Sequence, residues 1–415
     1  AARKNVHRWM RDEQRSAPLP FSLFGARASI QYQPLGVVGV MAAWNAPLNL
    51  LLVPLATVLA AGNRAMLCPS DLMPNIAEAL DHATREYFAI EELAVARGGL
   101  AVSKAFSTLN FDHLMFTGSS RVGAEVMTNA ARNLVPVTLE LGGKCPVVIA
   151  SDADLDDAAQ RLIAAKTYNG GQACLAPDHL YVPRAQREAF ISALDRAAAA
   201  LHPGGIRNPD YCGIVNDRHY RRLLALIDDA RRLGAEIRPL GLAADALTAD
   251  AASLRIAPQL IVDAPAQSQA MQDEIFGPLM VLSSYDTLED ACRQIVAAPK
   301  PLGLYVFASS AATRRFVLEH TFSGGVTEND ALFHYSVPDL PFGGVGRSGI
   351  GAYSFGIEGF RRFSHARAVY RQAGPRALLR VMQPPYGKLF DWVVRGSLDR
   401  LARRYADIRR PGAGG

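Results

Sequence analysis

Residues 34–68 read PLGVVGVMAAWNAPLNLLLVPLATVLAAGNRAMLC. PLGVVGVMAAW is short, apolar and β-branched, the pattern of a buried strand, and Pro47 opens an apolar helical segment that stops at Gly62. RAMLCPS then supplies a second strand. A strand, a helix and a strand in this order form a βαβ unit, and such units build parallel sheets. The alternation continues outward with a helix in MPNIAEALDHATREYF, a strand in FDHLMFTGSS, a helix in RVGAEVMTNAARN, and short strands in VTLELGG and PVVIA around a Gly-Gly turn. From about Lys144 a second α/β unit follows. Its helices fall in DADLDDAAQRLIAAKTY, AQREAFISALDRAAAAL and DRHYRRLLALIDDARRLG, and its strands in HLYVP, QLIVD, LMVLSS, GLYVFAS and GGVTEN. Two segments, ARASIQYQP and SHARAVYRQ, read as strands outside both units that pair with each other and extend a sheet across a subunit interface. In such α/β folds ligands bind at the C-terminal ends of the strands.

Composition narrows the class. The chain has 415 residues, 49% hydrophobic and 20% charged, which is enough for two or three domains of a globular protein. No apolar run reaches spanning length, and AARKNVHRWMRDEQR lacks the apolar core of a signal peptide. Five widely spaced cysteines without a CxxC pair argue against a disulfide framework or a zinc site, and fit a reducing cytoplasm. The net charge of +5 is concentrated between Arg376 and Arg410, where nine Lys or Arg face three Asp. That basic tail carries no reason to expect nucleic acid as the partner of the rest of the chain. The first residues read as the middle of a helix, so the N-terminus is expected to be a remnant of a longer helical segment.

Five segments bear chemistry. In NGGQACLAP (169–177), Gly170 and Gly171 permit close approach of a ligand to Cys174, although a lone cysteine is as often a buried structural residue. In VTLELGGK (137–144), Glu140 interrupts an apolar strand; a partly desolvated carboxylate there suits a general base, and an edge-strand Glu facing water is the plainer alternative. In AAWNAPLN (42–49), Asn45 is either a helix N-cap or a side-chain amide aimed at an oxyanion. In FTGSSRVG (116–123) a strand hands over to a helix whose first N–H groups can hold a pyrophosphate. In DEIFGP (273–278), Glu274 suits ribose hydroxyls or a simple turn. The Gly-rich loop Pro341–Gly349 fits the lining of a ligand mouth.

Taken in series, WNAPLN, FTGSSRVG, LELGGK, GGQACLAP, EIFGP and LPFGGVGRSG resemble the aldehyde dehydrogenase superfamily, from about Arg8 to Gln372. SGGVTEND and DLPFGGVGRSGIGAYSFGIEGF look most like the branch that includes coniferyl aldehyde and fatty aldehyde dehydrogenases. The resemblance implies a Rossmann-like parallel-sheet cofactor domain, an α/β catalytic domain and a small β oligomerisation element. Its boundaries are a helical remnant at 1–22, a bridging strand at 23–34, an NAD(P)-binding domain at 35–142, a catalytic domain at 143–338, a return segment with a second bridging strand at 339–372, and a basic tail at 373–415. It implies Cys174 as nucleophile, Glu140 as base, and Asn45 with the Cys174 amide as the oxyanion site. Trp44, Cys68, Ser70, Asp71, Gly118, Ser119, Gly123, Leu141, Glu274 and Phe276 fall on cofactor-contact positions, with no metal. The implied activity is oxidation of an aldehyde to the acid through a thiohemiacetal and a thioester, by a cytoplasmic homodimer. NAD is the expected cofactor, with NADP second, because the Asp71 carboxylate repels a 2′-phosphate. Two other readings are a non-catalytic or cofactor-impaired member, and a cofactor-independent thiol esterase.

The pattern breaks at Cys68, where the family usually has a Lys that bonds the adenosine ribose; a thiol supplies no cationic donor. In the tail, Leu389, Phe390, Val393, Val394, Leu398, Leu401, Tyr405 and Ile408 fall near one helical face with Arg residues opposite. This helix is expected to dock on a dimer, with contact to an anionic membrane surface as the alternative.

Overall fold

The computed structural model describes residues 2–19, 21–242, 246–351, 355–373 and 383–405. Among these, Val37–Met41 and Arg64–Cys68 pair in parallel, joined by the helix Pro47–Ala60. They sit in a sheet whose order is Gly349–Ile350, Val137–Glu140, His113–Thr117, Val37–Met41, Arg64–Cys68, Leu93–Val95. Every pairing is parallel except the first, where Gly349 lies opposite Glu140 in antiparallel register. The short Gly349–Ile350 strand thus arrives from about two hundred residues downstream and covers the strand that bears Glu140.

The second sheet runs Glu236–Pro239, Gln259–Val262, Leu279–Tyr285, His179–Pro183, Pro146–Ile149, Gly303–Phe307, Gly325–Glu328. Again only the first pairing is antiparallel. The inner strands Gln259–Val262, His179–Pro183, Pro146–Ile149 and Gly303–Phe307 are buried on both faces, which is why they read as continuous apolar runs rather than alternating ones. The helices Leu155–Thr167 and Arg187–Leu201 cover one face and contribute Leu162, Ile163, Phe190 and Leu194 to its core. Asp154 caps the first of these through its carboxylate, which accepts from the N–H groups of Asp156 and Asp157. The helices Leu288–Ala297 and Ala311–His320, which sequence reading passed over, pack with the other face.

Asn63 closes the first unit around its own chain. Its side chain accepts from Leu35 N (2.6 Å) and Gly36 N (3.0 Å), and donates to Val58 O (3.1 Å) and Phe363 O (2.7 Å). All four bonding sites of this buried amide are used, so the Gly62–Asn63 turn is held to the residues that end the unit.

The described residues among 10–32 and 366–405 form a separate compact unit. In it Glu13–Arg15, Arg27–Pro34 and Ser364–Arg371 make a three-stranded sheet, with Ser364–Arg371 at its edge. Val369 and Tyr370 are exposed on that strand. The two outlying strands therefore share a sheet, as their sequence suggested. Lys388–Tyr405 is a helix with no buried residue. Ile408, the last residue of its proposed apolar face, lies outside the described residues.

Candidate active site

The helix Leu155–Thr167 ends at Tyr168, and the chain then bends through Asn169 (φ +51°), Gly170 (+62°) and Gly171 (+74°) before reaching Cys174. These left-handed angles turn the chain sharply back. A side chain at Gly171 would meet Gly277 O at 2.2 Å, so the close approach requires glycine there. Asn169, which is not glycine, is held by its own amide: Nδ2 donates to Asn45 O (3.0 Å) and Gln172 O (3.3 Å). Gln172 is locked in turn, donating to Asn169 O (2.9 Å) and Gly213 O (3.1 Å) and accepting from Val215 N (2.9 Å).

Cys174 is half-buried and lines a cavity of about 770 Å³ together with Asn45 and Glu140. Burial pushes its thiol up to about 12, and the carboxylates of Glu274 and Glu140 push in the same direction. The N–H groups of Cys174 and Leu175 point at the sulfur and work against that rise. Glu140 is buried, in a strand flanked on both sides, so the reading of a water-facing edge carboxylate does not hold. Asn45 is not the helix cap either: Ala46 occupies the N-cap, without a side-chain bond, while Asn45 Nδ2 donates to Gln172 O at 3.1 Å. An amide nitrogen has two N–H groups, so one is left for an oxygen bound at the sulfur.

Glu274 faces the same centre. A side chain at Gly142 would lie 2.0 Å from its carboxyl oxygen, so the Gly142–Gly143 turn makes room for it. Burial, and then the nearby Asp178, push the Glu274 carboxyl up to about 8, while the Gly143 N–H works against that rise. Its Oε1 is buried and has no hydrogen-bond partner among the described residues. The backbone that carries Glu274 is clamped. Arg222 donates to Glu274 O and Phe276 O (both 3.5 Å) and also to Ile275 O. Ile275 N donates to Asp178 Oδ2 (2.9 Å), and Lys144 pairs with Asp178 while donating to Ala270 O (2.7 Å) and Asp273 O (3.1 Å). Phe276 sits at φ +49° and meets Trp44 edge-on at 5.5 Å, and the His219 ring lies 5.3 Å from Trp44.

Beyond the sheet's C-terminal edge, Ser119 caps the helix Ser120–Ala131 and accepts from Val122 N (3.4 Å), and Gly118 N donates to Glu140 O (3.0 Å). A side chain at Gly123 would meet Leu141 at 2.8 Å, so glycine lets this helix pack close to the sheet. At the end of the neighbouring strand Cys68 is buried, its sulfur 3.7 Å from Ser103 Oγ, and burial raises its thiol. Ser70 Oγ accepts from Leu72 N (3.3 Å) and Asp71 is exposed.

Residues 4–369 match the family model described as the aldehyde dehydrogenase family. The chain belongs to that family. It is 45% identical over 389 residues to a probable coniferyl aldehyde dehydrogenase of Caulobacter vibrioides, covering 93% of this chain and 80% of the relative. It is 40% identical to the dimeric NADP-preferring aldehyde dehydrogenase of Mus musculus, over 82% of this chain and 72% of that one. A substrate-bound aldehyde dehydrogenase of Staphylococcus aureus superposes with a TM-score of 0.86 at 34% identity, over 95% of this chain and 83% of the other. This dehydrogenase therefore oxidises aldehydes with NAD(P).

The residues present fit a dinucleotide at two places and depart from it at a third. The orphaned, buried Glu274 Oε1 suits a ribose hydroxyl. The first N–H groups of the Ser120–Ala131 helix, which have no acceptor in a preceding helical turn, suit a pyrophosphate. Cys68 offers no charged donor. Sequence reading missed Asn169, Arg222, His219, Lys144 and Asp178. Each acts on the backbone or ring of a residue remote in sequence, a relation that no local pattern announces.

Proposed function

We propose that this dehydrogenase oxidises an aromatic aldehyde of the coniferyl type to its acid, with Cys174 as nucleophile. The observation that carries this is the convergence of Cys174, Asn45 and Glu140 on one cavity whose walls include Leu50, Val53, Tyr335, Phe342 and Phe355. Phe342 and Phe355 stack at 5.6 Å, and Tyr335 meets Phe342 edge-on at 5.0 Å, an aromatic lining suited to a flat ring. The 45% identity to a probable coniferyl aldehyde dehydrogenase supports the same substrate class.

In this reading the Cys174 thiolate, its proton given up to solvent, adds to the carbonyl carbon while the π pair moves onto oxygen, and that oxyanion is met by the free Asn45 N–H and the Cys174 amide. NAD(P) supplies the acceptor for the hydride when bound. Glu140 takes a proton from the water that hydrolyses the Cys174 thioester. Glu274 and Phe276 hold the nicotinamide end beside Trp44 and Leu141, Gly118, Ser119 and Gly123 the pyrophosphate turn, and Cys68, Ser70 and Asp71 the adenosine end. Asp71 favours NAD over NADP through charge repulsion of a 2′-phosphate. The Ser364–Arg371 edge strand supports a homodimer, the cysteines a cytoplasmic setting, and the Lys388–Tyr405 helix docking within that dimer. No described helix is long and apolar enough to cross a membrane. Pelleting with anionic vesicles would replace dimer docking of that helix by membrane contact.

The test is NADH formation with coniferyl aldehyde and hexanal, beside ester hydrolysis without cofactor. Faster turnover of coniferyl aldehyde is expected. Ester hydrolysis without any NADH formation would overturn the reading.

A further inference from the structure

The cavity that holds Cys174 has Glu140 beside the nucleophile and a second set of charged residues, Asp157, Arg161 and Asp330, elsewhere on its wall. Asp157, Gln160, Arg161, Ala164 and Tyr168 line it at the spacing of a single helical face. The helix runs toward Cys174, so Ala164 and Ala165 lie on the nucleophile's side and Asp157 is remote from it. Eight residues separate Asp157 from Ala165, about 12 Å along the axis. At the remote end Arg161 Nε pairs with Asp157 Oδ2 (2.8 Å) and its Nη1 with Asp330 Oδ2 (2.7 Å). Asp330 Oδ1 also accepts from Ala331 N (2.7 Å).

The segment that presents Asp330 is built in an uncommon conformation. Asn329 has φ +52° and Leu332 has φ +71°, the second costly for a branched aliphatic residue. Asn329 is fastened by accepting from Ala308 N at 2.9 Å. Two left-handed residues around Asp330–Ala331 thus turn the carboxylate onto Arg161 at the cavity wall instead of leaving it in solvent.

We propose that the Asp157–Arg161–Asp330 cluster reads the end of the substrate remote from the aldehyde, favouring a neutral hydroxyl and rejecting an anion. This rests on the reading that Cys174 attacks the aldehyde in this cavity. Two carboxylates and one guanidinium leave one net negative charge. Carboxylate oxygens retain lone pairs beyond those used by Arg161, and a hydroxyl can donate to them in a charge-assisted bond. A carboxylate at the same position meets like charge between apolar walls. A methyl group leaves the cluster to the water that already reaches it, since Asp157 and Arg161 are more than two-fifths exposed. Discrimination between hydroxyl and methyl is therefore on the order of tenfold, far below what a fully buried polar site gives.

The experiment compares kcat/KM at neutral pH for cinnamaldehydes bearing 4-hydroxymethyl, 4-methyl or 4-carboxy groups, in the wild type and in Asp330→Asn. The hydroxymethyl group does not ionise near neutral pH, and the methyl group is its apolar control, one heavy atom smaller. In the wild type the order hydroxymethyl, methyl, carboxy is expected, with steps of about tenfold. Asp330→Asn removes the net charge and raises the carboxy-to-methyl ratio by about tenfold. If Asp330→Asn does not fold, Asp157→Asn makes the same charge change from the more exposed side. Equal rates for the three substrates in the wild type overturn the proposal. So does a uniform fall of all three in the variant, which marks the cluster as a structural staple only. No NADH from any of them or from hexanal removes the Cys174 reading, and this proposal with it.

Discussion

The two ends of the proposed dinucleotide site are built to different standards. Around Cys174 and Glu274 the backbone that carries the reacting groups is held by side chains remote in sequence. Asn169 holds Asn45 and Gln172, Gln172 holds Asn169 and Gly213, and Arg222, Asp178 and Lys144 hold the 273–276 backbone. At the end of the Arg64–Cys68 strand the corresponding place has a buried thiol against Ser103 Oγ and an exposed Asp71. Chemistry fails when a reacting atom is displaced by an ångström, whereas binding only weakens when one contact is lost. The proposed reactive end is thus fixed by a network of side chains, whereas at the proposed adenosine end Cys68 stands where the resemblance expects a cationic donor.

That contrast can be broken by substitution. Cys174→Ala is expected to lower kcat for aldehyde oxidation by about 10⁴-fold or more, read as NADH formation; appreciable residual turnover would mean another nucleophile. Glu140→Gln is expected to reduce steady-state turnover by about 10²- to 10⁴-fold while sparing a first burst of one NADH per site, seen in rapid-mixing kinetics. Loss of that burst would place Glu140 before hydride transfer instead of after it. Its carboxylate also opposes a second negative charge at Cys174, so the same variant should be alkylated by iodoacetamide with a midpoint at lower pH than the wild type. Asn45→Ala is expected to cost on the order of 3 kcal/mol of transition-state stabilisation, in kcat more than in KM. Smallest is Cys68→Lys, expected to tighten NAD binding by about 1–3 kcal/mol in a calorimetric titration, the range for a charged hydrogen bond. Equal affinities would show that the adenosine end needs no cation.

Much of the fold was legible because its inner strands are buried on both faces and its helices begin at marked positions such as Pro47, Pro74 and Asp154. The Leu288–Ala297 and Ala311–His320 helices escaped notice although Thr287 with Asp290 forms a capping box at the first and Ser310 caps the second. Both are short and follow long apolar strands that dominate the pattern. In the site, Cys174, Glu140, Asn45 and Glu274 stood out because each is a reactive or polar residue beside a glycine or proline turn. Arg222, Asp178 and Asn169 did not. An arginine among many on an amphipathic helix looks like a solvent-facing residue until the 273–276 backbone is laid across it.

The antiparallel pairing of Gly349–Ile350 with the Glu140 strand has a consequence for how the protein is made. On a ribosome, Val137–Glu140 emerges some two hundred residues before the strand that covers it, and Asn63 waits still longer for Phe363 O. During that interval the segment carrying the proposed base is the open margin of an unfinished sheet, exposed to other nascent chains. The active centre is thus assembled last in synthesis although its residues are encoded early, so slow translation between residues 141 and 348 should cost yield of folded enzyme before it costs any activity per folded molecule.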